Sequence, residues 1–149
     1  MSGSARFALD SSVLLFDYFA GGSETVAELL SGSVLNEVTI SETLYVICRM
    51  DGKEKASEYV ERCARTVHSI ASSEMIAPLA GYMKYKFPVS LADCWALATA
   101  KSFKLPCLFA LREAEIVKNL DAINQEVPVK FLDELPSPLG GVERAGGGI

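Results

Sequence analysis

A chain of 149 residues has the size of one ordinary domain, and with half of its residues hydrophobic it can bury a core without disulfides or a structural metal. No apolar run approaches the roughly 18 residues of a membrane span, and the opening Met1-Ser-Gly-Ser-Ala-Arg6 lacks the basic and apolar regions of a secretory signal, so a cytoplasmic protein with no membrane partner is expected. The net charge of −5 argues against simple electrostatic attraction to nucleic acid.

Phe7-Ala8-Leu9 is a short apolar run that stops at Asp10, as a buried strand does, and Ser11-Ser12 opens a helix that ends before Gly21-Gly22. Ser23 is placed to cap a helix over 24–30, with Glu24 in its first turn. Glu37-Val38-Thr39-Ile40 is short and β-branched and is read as the second strand, followed by Ser41 as the cap of a helix over 42–50. Asp51-Gly52 breaks that helix, and residues 53–67 form the next, with Ala56, Tyr59, Val60, Cys63 and Val67 on one face. A third strand is expected over 68–71 and a helix over 74–87, ended by Pro88. Ser90 then caps a helix over 91–103. Residues 106–110 form a fourth strand, 113–120 a helix, and 127–132 a last strand whose Pro128 marks an edge. From Pro136 onward the Pro/Gly-rich composition suggests a flexible tail.

Alternating strands and helices predict an α/β domain with a parallel sheet of four to five strands covered on both faces. In such sheets ligands bind beyond the carboxyl ends of the strands, where the strand order reverses. Asp10 follows the first strand, and Glu42 and Asp93 fall in the first turns of two predicted helices. Each has a structural explanation by itself, since a first-turn carboxylate stabilises the helix dipole by about 0.3–1 kcal/mol and Asp10 can cap its own helix. Three carboxylates converging at one sheet end would repel one another, and a hard divalent cation such as Mg²⁺ relieves that repulsion.

Other residues point to packing. Cys48, Cys63, Cys94 and Cys107 form no Cys-x-x-Cys pair and read as buried reduced thiols. The lone His68 has no neighbours suggesting a Ser-His-Asp or Cys-His device and reads as a polar helix-end residue. Trp95 reads as core rather than a base-stacking platform. Residues 49–104 carry nine Lys/Arg against six acids, and their interleaved Tyr82, Lys84, Tyr85 and Lys86 suit either RNA or a solvated helix face.

The segments Phe7-Ala-Leu-Asp10-Ser-Ser-Val-Leu, Ile40-Ser-Glu42-Thr-Leu-Tyr and Val89-Ser-Leu-Ala-Asp93-Cys-Trp-Ala-Leu-Ala-Thr-Ala100 resemble the PIN domain family, in particular its VapC-type toxins, over about residues 5–133. The resemblance implies a three-layer αβα domain over 1–135, followed by the tail at 136–149. It implies a Mg²⁺- or Mn²⁺-dependent endoribonuclease, often a homodimer, held inactive by an antitoxin protein. Asp10, Glu42 and Asp93 match the family's catalytic, metal-binding acids, and Ser12 lies where a hydroxyl supports the site. The family's fourth acid stands in a Thr-x-Asp pattern after the fourth strand, where this chain has Ala110 and Arg112. Arg112 cannot bind a metal; it is placed either to contact substrate phosphate or to pair with an acid, and Glu113 or Glu115 is positioned to substitute as ligand. The apolar faces of the helices over 12–19 and 42–50 are candidate partner surfaces. The rival function is a catalytically weak PIN-like module that binds RNA or protein, favoured by Arg112. A flavodoxin-like ligand domain would share the sheet, but no phosphate-binding loop is visible.

Overall fold

The computed structural model describes residues 6–22 and 24–135. In chain order these form β1 (Phe7–Leu9), α1 (Ser11–Phe19), α2 (Glu24–Ser31), β2 (Ser33–Leu35), α3 (Glu37–Asp51), α4 (Lys53–Thr66), β3 (Ser69–Ile70), α5 (Ser73–Lys86), α6 (Leu91–Phe103), β4 (Cys107–Phe109), α7 (Ala114–Lys118), α8 (Leu120–Asn124) and β5 (Val129–Phe131), then a single 3₁₀ turn, Leu132–Glu134. The expected cap at Ser23 and the expected tail at 136–149 lie outside the described residues.

The strands form one parallel sheet in the order β3-β2-β1-β4-β5. Alternation along each short strand feeds two cores. Ala8, Val34, Cys107, Phe109 and Phe131 point into one core. Leu9, Leu35 and Leu108 point into the other. The first is covered by α5 to α8 and the second by α1 to α4, which gives the expected three αβα layers. Small residues let α6 sit deep in its layer: Cys94, Ala96, Ala98, Thr99 and Ala100 are all buried, and Trp95 packs partly buried against the same core. The left-handed Lys104 (φ 58°) ends α6. β5 is the edge strand that Pro128 suggested.

Two elements differ from expectation. Residues Glu37–Ile40 are not a strand but the first turn of α3, and β2 is the preceding Ser33–Leu35. Asn36 decides the boundary: its side chain accepts from Thr39 N at 2.8 Å, so the helix starts there and not at Ser41. Glu42 is therefore in the second turn of α3, not the first. The helix expected over 113–120 is two short ones, broken at Asn119 (φ −108°, ψ 13°). All four cysteines are free, three of them buried. Among the described residues no helix is long and apolar enough to cross a membrane.

Candidate active site

The strand order reverses between β1 and β4, whose carboxyl ends lie side by side. There the chain opens a cavity of about 560 Å³. Its polar wall carries Asp10, Glu42, Asp93 and Glu113, and among the described residues no Lys, Arg or His lines it. Elements from across the chain deliver these acids. Asp10 is fixed where β1 ends, its N–H donating to Leu108 O of β4 at 2.9 Å. Its Oδ2 caps α1 by accepting from Ser12 N at 3.0 Å, the capping role expected of it. Asp93 enters in the first turn of α6, where Ser90 Oγ accepts from Asp93 N at 3.0 Å. Glu42 reaches across from α3 and accepts from Ser11 Oγ at 2.7 Å. Glu113 stands at the exposed rim, on the extended segment between β4 and α7.

Asp10 is only 5% and Asp93 7% exposed. Burial pushes Asp10 up to about 7, with the charges of Asp93 and Glu42 adding to the rise against the hydrogen bonds from Ser12. Burial likewise raises Asp93 to about 6, assisted by Glu113 and Glu42 and opposed by the hydrogen bond at Ser90. The two carboxyls lie within hydrogen-bonding reach of each other, so a negative charge on one disfavours ionisation of the other.

The three acids expected from sequence thus face one cavity, and Glu113 joins them. They are not clenched: among the described residues, no group of three or more His, Cys, Asp or Glu side chains is drawn together closely enough to hold an ion as the side chains stand. Mutual repulsion opposes closer approach, and the Ser11 hydroxyl holds Glu42. In chemistry the donor set does fit a hard divalent cation, because it is all oxygen, has no competing cation in its lining, and contains two buried carboxyls that a positive charge would stabilise.

Ser12 lines the cavity, and its Oγ accepts from Ala110 N at 2.9 Å, tying α1 to the segment after β4. Arg112 does not line it. Its Nη1 donates to Asp133 at 2.6 Å, its Nη2 lies 3.3 Å from Glu134, and its guanidinium sits 4.5 Å from the Phe131 ring centroid. Of the two readings of this arginine, the structure has the pairing with acids. Glu115, the other candidate substitute, is absent from the lining. Ser11 was missed in the sequence; the only signal was its place beside Asp10. Away from the acids, the wall is apolar, formed by Leu15, Phe16, Phe19 and Val46 of α1 and α3 with Leu111.

The family model for the PIN domain matches residues 7–117, the stretch that contains all four acids. This chain belongs to the PIN domain family. PIN domains are generally nucleases, and typically use divalent metals. The PIN fold here is similar to three solved structures. They are VapBC2 from Rickettsia felis bound to a DNA fragment from its promoter (TM-score 0.64, 11% identity, 83% of this chain and 96% of that one), VapBC-1 from nontypeable Haemophilus influenzae (0.56, 16%, 83% and 95%), and a toxin-antitoxin complex from Klebsiella pneumoniae (0.52, 19%, 76% and 90%). At these identities the likeness is one of fold. None of the curated proteins matches this chain.

Proposed function

We propose that this PIN domain is a Mg²⁺- or Mn²⁺-dependent endoribonuclease, the toxin of a toxin-antitoxin pair. The observation that carries the proposal is the pair of buried, contacting carboxyls at the carboxyl end of the sheet, Asp10 and Asp93, in a cavity whose other charged groups are also acids. Asp10 and Asp93 would hold the ion, with Glu42 and Glu113 as further oxygen donors. Such an ion supplies positive charge that offsets the phosphodiester's and makes water more acidic.

The chain's own residues do the rest. Ser11 orients Glu42, and Ser12 keeps the segment after β4, and with it Glu113, beside α1. A carboxylate at the cavity takes the proton of the attacking water. The water oxygen bonds to phosphorus, the P–O3′ bond breaks, and the departing 3′-oxygen takes a proton from solvent to leave as a hydroxyl, with a 5′-phosphate on the other fragment. The apolar wall beside the acids suits a protein partner, since Phe16 and Phe19 are half exposed, and Tyr45 and Met50 stand exposed on α3. The solved structures of similar fold are toxin-antitoxin complexes, which supports an antitoxin as that partner. The rival binding-module function is favoured by Arg112 at the place of the fourth acid; the pairing of Arg112 with Asp133 and Glu134 keeps its charge out of the cavity lining, which supports the nuclease reading, while that acid remains replaced.

The test is cleavage of single-stranded RNA with Mg²⁺ or Mn²⁺ against a chelator control. The wild type is expected to cut, and Asp93→Asn to lose activity on the order of a thousandfold. Wild-type protein that binds RNA but cuts none with either ion would favour the binding module.

A further inference from the structure

We propose that Arg112 is a positioning residue that turns Glu113 into the cavity, so that in this chain the acid after β4 acts from the position following the arginine. The inference rests on the metal-site reading above. Its basis is the backbone of the segment between β4 and α7. Leu111 and Glu113 line the cavity and Arg112 between them does not. The chain bends at Ala110 and Leu111, and beyond the bend Arg112 turns to the 3₁₀ turn while Glu113 turns to the cavity. Glu113 is itself extended (φ −66°, ψ 144°), and its side chain makes no capping bond to α7, which leaves the carboxylate available to the cavity.

The outward side of the segment is clamped. Arg112 is held by Asp133 and Glu134 of the 3₁₀ turn and sits over the Phe131 ring of β5, its Cζ 4.5 Å from the centroid. Glu134 is anchored in turn, its Oε1 accepting from Phe131 N at 3.0 Å. A planar guanidinium gripped by two carboxylates and seated over a ring fixes the orientation of its backbone more tightly than a lysine ammonium would. With Arg112 held outward, the Glu113 side chain is left on the cavity side. An arginine at the place of the family's acid is then compatible with an intact site.

The experiment measures Mn²⁺ affinity by titration calorimetry on the full chain, for wild type, Arg112→Ala, Arg112→Lys, Glu113→Gln and the Arg112→Ala/Glu113→Gln double variant, with melting temperatures alongside. The sign discriminates. Removing a positive charge near four carboxylates should by Coulomb's law alone tighten cation binding. Loss of positioning should weaken it. We expect Glu113→Gln to weaken Mn²⁺ binding about tenfold and Arg112→Ala several-fold. Arg112→Lys should fall between Arg112→Ala and wild type. The double variant should bind no worse than Glu113→Gln alone, because both changes act through one carboxylate. Because the ion pairs are solvent-exposed, the melting temperature should move little. Unchanged or tighter binding in Arg112→Ala, or full additivity in the double variant, would overturn the inference while leaving the metal site intact. Absence of Mn²⁺ binding by the wild type, or equal binding by Asp10→Asn, would overturn the metal-site reading itself.

Discussion

Replacing Asp10 by Asn should stabilise the metal-free protein, by an amount that depends on pH in a defined direction. In the folded protein Asp10 is pushed up to about 7 from an ordinary 3.8, so between about pH 4 and pH 7 the native state keeps a proton that the unfolded chain has released. Stability conferred by that proton is fully present below pH 4 and is lost as pH rises through 7. The cost of ionising Asp10 in place approaches at most about 4 kcal/mol at pH 7.5, from the difference between the two values. Asn carries no charge, and its side-chain oxygen can still accept from Ser12 N, so the α1 cap is kept. Relaxation around the charge reduces the gain to about 1–3 kcal/mol, or roughly 3–10 °C in melting temperature for a domain of this size. The assay is thermal unfolding of wild type and Asp10→Asn in chelator at pH 4 and pH 7.5. The variant should be the more stable at pH 7.5 and lose most of that advantage at pH 4. An Asp10→Asn protein no more stable than wild type at pH 7.5, or stabilised equally at both pH values, would refute the electrostatic account of the cavity.

Further outcomes follow from the same geometry. Millimolar Mn²⁺ at pH 7.5 should raise the wild-type melting temperature and raise that of Asp10→Asn much less, as differential scanning fluorimetry would show. Ser11→Ala frees Glu42 from its 2.7 Å hydrogen bond and should lower the RNA cleavage rate several-fold while leaving the fold intact by circular dichroism. Asn36→Ala removes both the α3 cap and a buried bond to Thr99 at 3.0 Å, and should cost about 2–3 kcal/mol in urea unfolding. The homodimer implied by the resemblance to VapC-type toxins would use the same half-exposed apolar wall, so wild type should sediment as a dimer and Phe19→Glu as a monomer; a wild type that sediments as a monomer at high concentration would count against dimerisation.

The layered fold was legible because β1, β4 and β5 are short apolar runs bounded by turn or cap residues, and because Ser90 followed by Asp93 marks the start of α6 clearly. The second strand was misplaced for a physical reason. Val38, Thr39 and Ile40 have the β-branched composition of a strand, whereas β2 is only Ser33-Val34-Leu35, too short to show a pattern. The signal that separates them is Asn36 before Glu37, a cap followed by a first-turn acid, which outweighs the intrinsic preference of three residues. Asp10, Glu42 and Asp93 were expected at one end of the sheet, and they line one cavity despite that error, because moving the start of α3 back to Glu37 leaves Glu42 close to the same sheet end. Arg112 was ambiguous in the sequence, since its partners Asp133 and Glu134 lie across β5 and the turn after it, beyond the reach of local pattern. The role of Ser11 was equally hidden, because its acceptor is 31 residues away.

The most direct test of the metal-centre claim is a crystal structure of the protein soaked in Mn²⁺, with anomalous scattering locating the ion. The account predicts a peak in the cavity at the carboxyl ends of β1 and β4, at about 2.0–2.2 Å from carboxylate oxygens of Asp10 and Asp93, with Glu42 or Glu113 turned toward it. No anomalous peak at those carboxylates under millimolar Mn²⁺, or an ion bound only elsewhere, would contradict it.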